Sequence, residues 1–217
     1  MKKIIFLLIT ILLVYIIYSS SIKKNNYLLI NDSVNDLSSY INISNNKLIS
    51  VNRNTINSLY QSIINNDTIS DSYFKKILRE SDIIIINIGM EEISNFFINN
   101  DINKNYINFS KLASDIKLLI SEIRKYNYGK IIFVGYYNPI KYYDSKIDSF
   151  FYNLELELNN LLKEKDIIYI PMYEIIKTNN YKIYNTIYLN DLGKRYISKT
   201  IDNIYNKNTW FYLLLLL

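Results

Sequence analysis

The run Asp82-Ile-Ile-Ile-Ile-Asn-Ile88 leaves a chain of this kind few folds to choose from. It is too short for an ordinary helix and dominated by a β-branched residue, so it reads as a strand. It has no polar alternation, so both of its faces must be buried, as they are in parallel sheets covered by helices on either side. Four further segments read as strands of one such sheet: 27–31, 47–51, 130–135 and 167–170. Stretches of helical period lie between and after them. Asn54 to Ile64 places Ile56, Leu59, Tyr60 and Ile63 on one stripe, and Asp71 to Arg79 reads as a shorter helix. Ser110 to Tyr126 is strongly amphipathic through Leu112, Ile116, Leu119, Ile120 and Ile123, with Gly129 expected in its C-cap region. Phe150 to Leu162 repeats the pattern, and Asp191 to Tyr205 closes the chain's periodic part with Asn190 as N-cap. Strands alternating with helices predict an α/β fold: a three-layer α/β/α sandwich around a five-stranded parallel sheet of flavodoxin-like kind.

The ends of the chain read differently. Met1-Lys2-Lys3 precedes an apolar run from Ile4 to Tyr18 and then Ser19 to Lys24. Lysines ahead of an apolar run without a polar face are the pattern of an exported segment whose start stays in the cytoplasm. Residues 1–24 are therefore expected to be a transmembrane signal anchor, with a domain over 27–206 held on the extracytoplasmic side of the membrane. Residues 207–217 form an apolar tail ending in five leucines, too short to span a bilayer.

Composition then removes whole classes of chemistry. Among 217 residues there is no cysteine and no histidine. That excludes disulfides, thiolate metal sites and a cysteine nucleophile, and leaves only carboxylates for a zinc site, so no metal or cofactor is expected. The net charge of +5 is spread over short pairs such as Lys75-Lys76 and Arg124-Lys125. Such scatter suits mild attraction to an anionic surface and gives no nucleic-acid footprint. Only 4 glycines and 2 prolines occur, beside abundant Asn, Ile, Lys and Tyr, a usage that reads as A/T-rich coding and weakens arguments from residue type alone.

The first predicted strand ends in Asn31-Asp32-Ser33. In open α/β sheets, chemistry collects beyond the carboxyl ends of the strands, so a serine there stands where a nucleophile would. The same three residues are also ordinary turn composition.

With its elements placed, the chain resembles the SGNH/GDSL hydrolase family, near its bacterial lysophospholipase-like, membrane-anchored members, over about Tyr27 to Ile204. The family's Gly-Asp-Ser after the first strand corresponds to Asn31-Asp32-Ser33. Its second block, whose glycine lines the oxyanion hole, is matched by Val51 to Thr55 with Arg53 at the glycine position. Its Gly-x-Asn-Asp block is matched by Gly89-Met90-Glu91-Glu92. Gly135-Tyr-Tyr-Asn-Pro-Ile140 is similar to the exit of the family's fourth strand. The final Asp-x-x-His block is matched by Asn185 to Tyr188, so that Asn185 takes the Asp position and Tyr188 the His position.

The resemblance implies an acyl- or acetyl-ester hydrolase acting on lipid or glycan, with Ser33 as a vestigial nucleophile beside Asp32 and an oxyanion region of Arg53, Gly89 and Glu91, with Glu92 adjacent. The replacements speak against turnover. A serine hydroxyl needs a neighbouring base, and a tyrosine phenol, with an ordinary pKa of about 10, donates but hardly accepts. Loss of a triad base costs on the order of a million-fold, and loss of an oxyanion donor about 10²–10³. Three readings follow. One is a hydrolase rescued by Glu91 or Glu92 as base, with Arg53 supplying charge. Another is a pseudo-hydrolase that holds an acyl or glycan ligand, and the last is a product with no selected role.

Overall fold

The computed structural model describes residues 10, 25–32, 34–41, 47–93, 109–138, 145–163, 165–179, 181 and 188–214, with the side chains of 109–110 and 205–214 left aside. The sheet contains β1 (Asn26–Asn31), β2 (Lys47–Asn52), β5 (Ile83–Asn87), β6 (Lys130–Val134) and β7 (Ile168–Ile170), all parallel, in the order β2-β1-β5-β6-β7. The five expected strands are these five, each end within two residues of its expected place. Their apolar runs are the cause: Leu28, Leu29, Ile30, Ile84, Ile85 and Ile86 are wholly buried, each contributing about 1.5–3 kcal/mol over an exposed position.

The helices are α1 (Ile56–Asn65), α2 (Phe74–Glu80), α3 (Phe109–Arg124), α4 (Ser145–Lys163), α5 (Tyr173–Thr178) and α6 (Asp191–Leu214). α1 packs on α3 and α3 on α4, forming one layer over the sheet. Right-handed crossovers put the β1–β2 connection on the opposite face from the others, and α6 packs with that connection through the Ser198 hydroxyl, which donates to the Tyr40 carbonyl at 2.6 Å.

Several local expectations need correction. The helix expected from Asp71 begins at Phe74, because Ser70 and Asp71 have φ of 45° and 64°. Two consecutive left-handed residues make a tight hairpin turn, here joining β3 (Thr68–Ile69) to β4 (Ser72–Tyr73). Gly129 does not cap α3, which ends at Arg124; a Cβ at Gly129 would meet the Asp82 carbonyl at 2.5 Å, so the residue serves the close approach of the β6 entry to β5. α5 was not foreseen. It is a single short turn system after Pro171, and the Glu155 carboxylate of α4 accepts from its first N–H, Tyr173, at 2.9 Å. The last helix does not stop at Tyr205: α6 runs on through Leu214, so much of the expected separate tail is helix. Asn190 caps α6 as expected, its side-chain oxygen accepting from Gly193 N at 2.9 Å. The expected anchor, residues 1–24, lies outside the described residues apart from Thr10; among the described residues no helix is long and apolar enough to cross a membrane.

Candidate functional site

Strand order reverses at β1, since the chain steps from β1 outward to β2 and then back across to β5. Such a switch point leaves a crevice between the carboxyl ends of the two strands. Here that crevice lies between the exits of β1 and β5, and Asp32 bridges it. Asp32 is 1% exposed, and its carboxylate accepts four backbone N–H groups: Val34 at 3.1 Å and Asn35 at 3.2 Å on one oxygen, Met90 at 2.8 Å and Glu91 at 3.1 Å on the other. Met90 opens a helical stretch over 90–93, so Asp32 supplies the acceptor that its orphan N–H groups require. Burial pushes the Asp32 carboxyl above its usual range, and the four N–H groups oppose that rise.

Gly89 makes the turn into this helix at φ 99°, in the left-handed region. A Cβ there would stand 2.8 Å from the Tyr136 hydroxyl, which donates to the Ile88 carbonyl at 3.0 Å. Glycine is therefore required at this position on two independent grounds.

A set of amides completes the crevice floor. Asn87, the polar residue at the end of an otherwise apolar strand, donates to the Asn35 carbonyl at 2.6 Å and to the Asn31 side chain at 3.3 Å. Asn35 donates through Nδ2 to the Tyr137 hydroxyl at 2.8 Å and accepts at Oδ1 from Leu189 N at 3.0 Å. One buried amide thus joins the β1 exit, the β6 exit and the segment before α6. Tyr136 and Tyr137 both have their phenols pushed well up by burial, so each stays protonated and neither serves as a base. Among the described residues, Asn35, Asn87, Tyr136, Tyr137, Met172 and Leu189 line a small cavity of about 10 Å³, room for about one water.

Ser33 and Asn185 lie outside the described residues. Leu189 N is bound to Asn35, so the described stretches that begin at Val34 and at Tyr188 meet. Tyr188 stands at the rim with 45% of its surface exposed. Arg53 is turned away from the crevice: its guanidinium donates to the Ser62 hydroxyl at 2.8 Å and the Asn52 carbonyl at 2.9 Å, and lies 3.9 Å from Asp67. Its backbone N–H is bound to the Asn31 carbonyl at 2.8 Å, extending the β1–β2 ladder, so it does not point at an oxyanion. Glu91 and Glu92 fall in the first turn over 90–93, where carboxylates favour the helix dipole. The Glu92 carboxylate accepts from Ile56 N at 3.3 Å, at the start of α1. Among the described residues no group of three or more acidic side chains could hold a metal ion.

The sequence reading missed Asn35, Asn87 and Tyr137. Asn87 carried a usable signal, since a lone amide inside a buried apolar run must find partners. Asn35 carried none in a chain so rich in asparagine.

No family model and no curated protein matches the chain. Solved structures do. The lipase Lip_vut3 from a goat rumen metagenome aligns with a TM-score of 0.64 at 12% identity, covering 82% of this chain and 96% of that one. A catalytic mutant of Axe2, an acetylxylan esterase from Geobacillus stearothermophilus, aligns at 0.60 and 13%, covering 82% and 92%. A protein from Parabacteroides merdae described as GDSL-like aligns at 0.57 and 14%, covering 82% and 94%. The chain has the fold of the SGNH/GDSL lipases and esterases.

Proposed function

We propose that this protein is a membrane-anchored, extracytoplasmic pseudo-hydrolase: an SGNH-fold domain that holds an acyl or acetyl ester at the switch-point crevice without cleaving it. The observation that carries the reading is the absence of histidine from all 217 residues. Without an imidazole, the serine position needs another base, and three charged groups near the crevice are engaged in other contacts. Asp32 spends both oxygens on four N–H groups, the Glu92 carboxylate serves the start of α1, and the Arg53 guanidinium faces Ser62 and Asp67. The frame around them is intact: Gly89 at positive φ, the Asp32 bridge and the Asn35 tie all hold the strand exits in register. An intact frame with Asp32, Glu92 and Arg53 engaged favours binding over turnover. The Ile4 to Tyr18 run supports the anchor.

The test is turnover of short-chain nitrophenyl esters by the full chain in detergent, beside Ser33→Ala. The expected result is the same background rate for both. Turnover that depends on Ser33 overturns the reading in favour of a hydrolase using Glu91 or another carboxylate as base.

A further inference from the structure

The amino ends of the strands form one continuous edge. Asn26 pairs with Lys47, Asp82 N donates to the Asn26 carbonyl at 2.9 Å, Lys130 N donates to the Asp82 carbonyl at 3.1 Å, and Arg124 reaches the Asp166 carbonyl at 3.2 Å. The apolar run Ile4 to Tyr18 precedes β1 by seven residues and so enters the domain at this edge. Seven extended residues reach at most about 25 Å.

α6 leads to the same edge from the other end of the chain. It starts beside the crevice, where Leu189 is bound to Asn35, passes Tyr40 at Ser198, and buries Ile197 and Ile201. From Asp191 to Ile204, the last residue whose side-chain packing is described, its axis covers about 21 Å. A strand of six residues covers roughly 20 Å, so by Ile204 the helix has passed the height of the sheet. It then continues to Leu214, about 15 Å further. In sequence, this stretch includes Trp210, Phe211 and Tyr212, and leucines occupy 213–217. Aromatics beside a leucine run suit the headgroup level of a bilayer. Tyr128, 90% exposed, stands on the same edge, immediately before β6.

We propose, resting on the anchoring stated above, that the amino edge of the sheet faces the membrane through both chain ends, and that the crevice faces away from it. The crevice then stands roughly 20 Å or more above the headgroups. A phospholipid acyl chain would have to leave the bilayer to reach it. The ligand arrives from the aqueous side, which makes it an ester borne on a soluble or wall-bound glycan.

The chain has no cysteine, so single labels are clean. Tyr128→Cys marks the amino edge and Leu192→Cys, at a side chain 64% exposed, marks the crevice edge. Each full-length variant carries an environment-sensitive fluorophore and is reconstituted in vesicles of phosphatidylethanolamine and phosphatidylglycerol. A small fraction of the lipid bears a headgroup nitroxide quencher. The expected result is flotation of both variants with the vesicles, with quenching at position 128 at least threefold stronger than at 192. Removing residues 210–217 should leave flotation intact and reduce that ratio, because one of the two attachments is gone. Flotation with equal quenching, or stronger quenching at 192, overturns the orientation and leaves the anchor standing. Failure of the full chain to float overturns the anchor and this inference with it.

Discussion

Asp32→Asn is the most informative single change, because it keeps the shape of the side chain and alters only what its oxygens can accept. One oxygen serves Val34 and Asn35, the other Met90 and Glu91. An amide retains one acceptor, so whichever way it turns, two backbone N–H groups lose their partner and face a donor. A buried donor left unsatisfied costs about 1–3 kcal/mol, giving roughly 2–6 kcal/mol for two. The loss of a buried charge returns part of this, since burial already holds the Asp32 carboxyl above its usual range. A net loss of about 2–4 kcal/mol follows. For a domain of this size that lowers Tm by roughly 5–15 °C, read by far-ultraviolet circular dichroism on the full chain in detergent. The sign of the pH dependence follows from the same shift. The folded chain keeps the Asp32 proton to higher pH than the unfolded chain does. The stability this titration contributes is therefore complete below the ordinary carboxylate range and is lost as pH rises through the raised value. The gap between parent and variant should narrow from about pH 4 to pH 7. An unchanged Tm would refute Asp32 as the bridge between the β1 and β5 exits; a gap that widens with pH would show that the four N–H groups outweigh burial at this carboxyl.

Other outcomes follow from the same geometry. Asn35→Ala removes the acceptor bound by Leu189 N and the amide donor that binds the Tyr137 hydroxyl, costing about 2–4 kcal/mol, and should raise hydrogen exchange at residues 188–190 more than elsewhere. Gly89→Ala forces a Cβ against the Tyr136 hydroxyl at φ 99° and should cost about 2–4 kcal/mol in a denaturant titration. Tyr188→His alone should leave nitrophenyl-ester turnover at background, because triad members act as a unit. The combination Tyr188→His, Asn185→Asp and Glu91→Asn should produce turnover that Ser33→Ala abolishes; turnover from Tyr188→His alone would show that a working carboxylate and oxyanion site already exist.

The strands were legible because burial on both faces demands unbroken apolar runs, and Ile83 to Ile86 admit no other reading. The amphipathic helices were legible for the matching reason, since one buried stripe repeats at helical period through Leu112, Ile116, Leu119 and Ile123. The exit of β1 was legible, because an apolar strand that stops in Asn-Asp-Ser must leave the sheet there. What Asp32 does at that exit was not. Its partners Met90 and Glu91 lie 58 and 59 residues away, and no local pattern records an acceptor serving a helix that far along the chain. The same holds for Asn35, whose two side-chain partners come from 102 and 154 residues further on. Arg53 shows the converse: its position suggested charge for an oxyanion, but its side chain had nearer acceptors at Ser62 and Asp67, and only packing could reveal that they win. Periodicity reports which face of an element leaves water, a property of neighbouring residues. The partner of a buried polar atom is decided by which strand exits the topology brings together, and that exists only once the sheet is assembled.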